Sequence, residues 1–96
     1  MELSKSDIII STAGRDRDLF FYVLDRKDDR ILIANGKERT LEHPKWKKQK
    51  HVRRVARSES LLAEKIRRGE RVLNSELRRY LAIFRQDFKS HNQGGY

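Results

Sequence analysis

Leu19-Phe20-Phe21-Tyr22-Val23-Leu24 is the stretch on which the fold turns. Apolar and aromatic residues follow one another here without a polar face for solvent, so a strand built from them is covered on both sides. In a chain of 96 residues, that cover comes from the interior of a small barrel on one side and a docked helix on the other. Shorter runs flank it: Ile8-Ile9-Ile10 before, then Ile31-Leu32-Ile33-Ala34 and Lys37 to Leu41 after. These read as four strands, bounded by turn residues. Asp25 to Arg30 reads as a polar loop, and Asn35-Gly36 fits the two positive-φ positions of a type I′ hairpin turn. Pro44 ends the fourth strand, and Lys50 to Val55 supplies a fifth that closes the barrel.

Beyond residue 57 the apolar period becomes helical. Ser58 or Ser60 caps a helix through Ile66 that Gly69 terminates, and Asn74 caps a second running to Lys89. Leu77, Leu81, Phe84 and Phe88 recur at i, i+4, i+7 and i+11, a stripe for docking on the strands. Arg78, Arg85 and Lys89 are turned away from it. His91 to Tyr96 reads as a frayed tail.

Charge narrows the function classes. The chain carries 23 Lys and Arg against 14 Asp and Glu, a formal +9. Such an excess favours polyanions, because each phosphate neutralised releases condensed counterion. It is concentrated: residues 1–44 hold 8 basic and 9 acidic residues, residues 45–57 hold 7 and none, and residues 58–96 hold 8 and 5. No run approaches the roughly 20 apolar residues of a spanning helix, and the first residues lack the layout of a signal peptide. The expectation is a cytoplasmic protein that is not exported.

Catalysis and metal binding find no support in the residues. Cysteine is absent, so there is neither thiolate ligand nor Cys nucleophile. His43, His51 and His91 have no second ligand at metal spacing, and Asp28-Asp29 are neighbours in a polar turn that point apart. No cofactor, catalytic residue, metal site or small-molecule substrate is expected.

Lys45-Trp46-Lys47-Lys48-Gln49-Lys50-His51-Val52-Arg53-Arg54 interleaves the single tryptophan with dense positive charge. Phosphate contacts anchor a backbone in such a segment while the ring stacks on an unpaired base. The alternative is a solvated loop whose Trp46 packs on the barrel. Arg15 and Arg17, beside Gly14, offer guanidinium forks to phosphate or a guanine edge; alternatively Asp16 and Asp18 neutralise them in a salt-bridged turn. The candidate RNA contacts are thus Arg15, Arg17, Lys45, Trp46, Lys47, Lys48, Lys50, His51, Arg53 and Arg54.

Ile8-Ile9-Ile10-Ser11-Thr12-Ala13-Gly14-Arg15-Asp16, the segment Ile31 to Lys37, and Pro44-Lys45 through Lys50-His51 together resemble the bacterial KOW-domain RNA-binding proteins. These are relatives of certain archaeal and eukaryotic large-subunit ribosomal proteins. Leu73-Asn74-Ser75-Glu76-Leu77-Arg78 is similar to the family's C-terminal helical part. Asp7 and Asp18 stand where the KOW pattern usually carries glycine, and Asp tolerates left-handed φ better than most residues.

The resemblance implies a mainly β fold with α: a five-stranded SH3-like barrel over residues 1–57, a helical hairpin packed on it over 58–90, and a tail over 91–96. It further implies that the first-strand loop and the basic segment touch structured or ribosomal RNA. The expected role is ribosome association or assembly by a monomer. The competing class is a protein-interaction module seating a partner of the translation or transcription machinery in an aromatic groove. Such a groove needs Phe20, Tyr22 or Trp46 together on one open face, free of lysines.

Overall fold

Five strands precede two helices along the chain. The computed structural model describes the backbone of residues 2–94 and the side chains of residues 2–88. The strands are β1 (Asp7–Ser11), β2 (Phe20–Lys27), β3 (Arg30–Ala34), β4 (Lys45–Lys48) and β5 (Val52–Arg57); the helices are α1 (Leu61–Arg68) and α2 (Asn74–Gly94). All five strands pair antiparallel in one sheet, in the order β4-β3-β2-β1-β5. β4 and β5 therefore lie at opposite edges, yet a single 3₁₀ turn, Gln49–His51, joins them. The four Cα steps across it reach at most about 14 Å, whereas the outer strands of a flat five-stranded sheet stand about 19 Å apart. The sheet has to curl.

Curling gives β2 the two covered faces that its apolar run demands. Phe21 and Val23 turn inward to Leu3, Ile9, Ile31 and Ile33. Tyr22 turns outward with Ile8 and Ala34, and meets Leu62 and Ile66 of α1 and Leu77 and Leu81 of α2. Leu77 and Leu81 are fully enclosed, and burial of such side chains stabilises by about 1.5–3 kcal/mol each. Phe20 extends this outer layer, edge-on to Phe84 at 5.7 Å and to Phe88 at 5.6 Å between ring centroids. The apolar stripe of α2 thus docks on the sheet as its period requires.

α1 has the caps its sequence suggests: the Ser60 hydroxyl accepts from the Ala63 N–H at 3.1 Å, and Gly69, at φ 74°, closes the helix through its N–H to the Ile66 carbonyl. α2 starts differently. The Asn74 Oδ1 accepts from the Leu41 N–H and its Nδ2 donates to Glu42, both at 2.8 Å, so this side chain fastens a loop to the helix. Glu76 takes the capping role instead, accepting from the Leu73 N–H at 3.0 Å.

Several local expectations are corrected. Residues 37–41 form no strand; the fourth strand is Lys45–Lys48, and the fifth begins at Val52. Asn35-Gly36 is not a type I′ turn, since Gly36 alone of the two has positive φ. The Asn35 Oδ1 accepts from the backbone N–H groups of Lys37 at 3.1 Å and Arg39 at 3.0 Å, and that competition closes a loop in place of a hairpin. The tight hairpin instead joins β2 to β3 at Asp28-Asp29, with Asp28 at φ 55°. Asp18 does take left-handed φ, at 72°, whereas near Asp7 that conformation falls on Ser6, at 73°. Arg78 is exposed, turned away from the apolar stripe as expected, and its guanidinium also donates to the Gly36 carbonyl at 2.6 Å. Helical backbone runs on through His91 to Gly94, where a frayed tail was expected. Gly95, Tyr96 and the side chain of Lys89 lie outside the described residues. No helix among the described residues is long and apolar enough to cross a membrane.

Gly36 marks the closest approach of the sheet-side loop to α2. A Cβ there would overlap the Asn74 carbonyl oxygen and lie 3.0 Å from its carbon, at a backbone φ of 78°. Gly69 has a similar φ, 74°, but open space around it. Gly36→Ala should therefore cost more than about 3 kcal/mol, and Gly69→Ala about 1 kcal/mol. Urea denaturation of the two variants checks this; equal costs would mean that the contact with Asn74 is not tight.

Candidate nucleic-acid interface

The basic segment does not behave as one solvated loop, because the pleat of β4 sends alternate side chains to opposite faces. Lys45 and Lys47 pair in register with Ile33 and Ile31, which face the inner core. Trp46 and Lys48, opposite Leu32 and Arg30, therefore face outward.

On the inner side an ion cluster forms around Asp16. Lys47 Nζ donates to Asp16 Oδ1 at 2.7 Å and to the Ala13 carbonyl at 2.8 Å, while Ser11 Oγ donates to the same carboxylate oxygen at 2.7 Å. Lys45 Nζ reaches Asp16 Oδ2 at 3.3 Å. Burial opposes ionisation of Asp16, but the hydrogen bonds from Lys47, Ser11 and Lys45 outweigh it and hold the carboxyl at about 2, against an ordinary 3.8. Lys47 is 7% exposed. Lys47, expected among the RNA contacts, is engaged within the fold: the register of β4 points it at the one carboxylate of the β1–β2 loop that is buried.

That cluster decides the state of the loop itself, residues 12–19. Asp16 turns in toward the lysines, so the salt-bridged turn in which it would neutralise Arg15 and Arg17 does not form. Arg15 and Arg17 are exposed and, among the described residues, have no carboxylate partner. The Thr12 N–H donates to the His51 carbonyl at 2.9 Å, which ties the loop to the 3₁₀ turn that carries Lys50. Arg15 and Lys45 line one cleft of 290 Å³ together with Arg39. Arg39 was not singled out in the sequence; it lies just past the misread turn, and nothing local marks it.

On the outer side Trp46 is 42% exposed. With Lys27 and Arg30 from the β2–β3 hairpin it borders an open hollow of 320 Å³ that also touches Asp28 and Asp29. Lys48 stands next to Arg30 across the strands. The ring thus sits on an uncovered strip of sheet beside both cations and carboxylates, a platform open to a stacked base. Lys27 and Arg30 were missed because their proximity to Trp46 comes from strand pairing at a separation that no local motif records.

The remaining candidates divide. Arg53 is exposed on β5 opposite Ile10, and His51 is half-buried. Arg54, opposite Ile9, is largely enclosed and lies 3.7 Å from Asp7, so it too serves the fold more than a surface. Asp7 and Asp16 are each matched to their own cations and do not share a pocket. Among the described residues no group of three or more His, Asp or Glu is placed to hold a metal.

Compared with known proteins, the chain matches no protein-family model and no curated protein. The reading of the site rests on its own geometry.

The Asp16 cluster makes acid stability testable. The pKa of Asp16 is depressed in the fold, so its contribution is complete above the ordinary value of 3.8 and is lost as pH falls toward 2. A shift of this size corresponds to on the order of 2 kcal/mol. The paired variant Asp16→Asn with Lys47→Met should lose stability less steeply between those pH values than the unaltered chain. Equally steep loss, followed by denaturant melts at each pH, would place the acid sensitivity in other groups.

Proposed function

We propose that the protein is a non-enzymatic RNA-binding protein, an SH3-like barrel of the KOW class with two helices docked on it. It acts in the cytoplasm as a monomer, on structured or ribosomal RNA, in ribosome association or assembly. The observation that carries this reading is the inward turn of Asp16: it leaves Arg15 and Arg17 without a carboxylate, in a loop that the Thr12 N–H ties to the turn carrying the exposed Lys50. Trp46, bordered by Arg30, Lys27 and Lys48, adds a stacking surface that phosphate-binding charge alone would not supply.

A partner-binding aromatic groove is less well supported. Tyr22 is 1% exposed, Phe20 is packed against Phe84 and Phe88, and Trp46 is the one aromatic residue of a hollow otherwise lined by charged side chains. The aromatic residues such a groove needs do not share an open face.

Replacing Arg15, Arg17, Lys48 and Lys50 together by Gln should weaken binding to RNA and flatten its salt dependence by about 0.7–0.9 in log–log slope per lost contact. Trp46→Ala should weaken single-stranded RNA by about 1–3 kcal/mol. Fluorescence anisotropy titrations at several salt concentrations provide both readings. Slopes unchanged by the fourfold replacement would remove these residues from the interface.

A further inference from the structure

The 290 Å³ cleft of Arg15, Arg39 and Lys45 does not end at the β1–β2 loop. It shares Leu19 and Glu38 with a second cleft, of 320 Å³, between α2 and the loop that begins at Asn35. The second cleft differs in character. Its apolar lining comes from Leu19, Phe20 and Ala82, with the buried Leu81 behind them, and Lys37, Arg78 and Arg85 line it as well. Across both, six cations face two carboxylates, Asp16 and Glu38, and Asp16 is already engaged by Lys47.

We propose that the two clefts form one track for a single-stranded RNA segment, with an unpaired base seated against Leu19, Phe20 and Ala82 and its backbone running past Lys37 and Arg39 to Arg15. This rests on the RNA-binding reading and gives it a strand state and a direction across the surface.

Charge and shape both favour this occupant. Cations on both walls of a narrow groove suit a chain of regularly spaced phosphates. A recessed apolar floor accepts the face of a splayed base, which a paired base in an A-form helix cannot present. The volume is at the lower end of those that hold small ligands, in keeping with a single nucleotide. The rim is also fixed in advance: the guanidinium of Arg78 is held by the Gly36 carbonyl at 2.6 Å, and the Asn35 Nδ2 donates to Glu38 at 2.8 Å. Arg85 and Arg39 have no ion-pair partner among the described residues, and the contact of Lys37 with Glu38 is long, 3.9 Å, and exposed. Ions of this kind are available to phosphate with little to give up.

The test uses the full chain and a fluorescent oligonucleotide of about 12 nucleotides, within the site sizes usual for single-strand grooves, beside a hairpin duplex of the same composition. The variants are Lys37→Glu with Arg85→Glu, and separately Ala82→Glu; all three positions are exposed, so the melting temperature should not move. Each variant should bind the single strand at least about tenfold more weakly while duplex affinity changes far less. The methyl resonances of Leu81 and Ala82 should shift when the oligonucleotide is added to the unaltered chain. Groove variants that bind like the unaltered chain, while Lys48→Glu with Lys50→Glu does not, would overturn the track and leave RNA binding intact. Failure of the unaltered chain to bind either RNA would overturn both readings. A polyglutamate peptide that displaces the oligonucleotide and binds as tightly would make the groove a docking site for acidic peptide instead.

Discussion

The constraint on which this structure depends is a short connection between distant strands. β4 and β5 are separated in the sheet by three other strands and in the sequence by Gln49–His51. Since so few residues cannot cross a flat sheet, the sheet curls, and the curl separates an inner core around Phe21 from an outer core around Tyr22. It also carries the loop between β1 and β2 toward β4, within reach of Lys45 and Lys47. The position of every candidate RNA contact on that side follows from this.

Within that frame the pair of Asp16 and Lys47 fixes register more than it adds stability. Bringing both charges out of water carries a large desolvation cost, which their attraction and added hydrogen bonds must offset. Here Ser11 and the Ala13 carbonyl complete the set of partners, and among the described residues no buried side-chain polar atom lacks one. A slip of β4 by one residue would bring Trp46 inward and leave Asp16 without its closest cation, so the pair makes one register far better than its neighbours. The same pair shapes the surface. By withdrawing a carboxylate it converts a loop of balanced charge, Arg15 to Asp18, into one whose arginines face outward.

What the sequence made legible was what apolar periodicity carries. The run Leu19 to Leu24 announced a strand covered on both faces, and the helical stripe from Leu77 to Phe88 announced the element that covers one of them. β4 was illegible for a physical reason: its inward positions are Lys45 and Lys47, so Lys-Trp-Lys-Lys reads as a solvated loop. Asn35-Gly36 misled because the Asn side chain bonds the backbone ahead of it, a choice that local propensity leaves open. Composition pointed to Trp46 and the lysines around it, but which of them face solvent is a matter of register. Lys27, Arg30 and Arg39 reach their places through strand pairing and loop closure, and these leave no local trace.

The loop from Asn35 to Glu42 joins the two halves of the molecule. Gly36 abuts the first turn of α2, Arg78 returns a hydrogen bond to the Gly36 carbonyl, and Asn74 holds both Leu41 and Glu42. One side of this joint is sheet and the other helix, and the apolar cleft lies between them with walls from each. The shape of the cleft is therefore set by the contacts that dock α2, not by a hinge of its own. A strand of RNA lying in it would touch both halves at once and would bind the docked arrangement in preference to any in which α2 has come away. Preferential binding to one state stabilises that state by mass action. RNA occupancy and the attachment of α2 would then be linked in both directions: weakening the joint at Gly36 would lower RNA affinity without removing a single contact, and bound RNA would hold the joint closed.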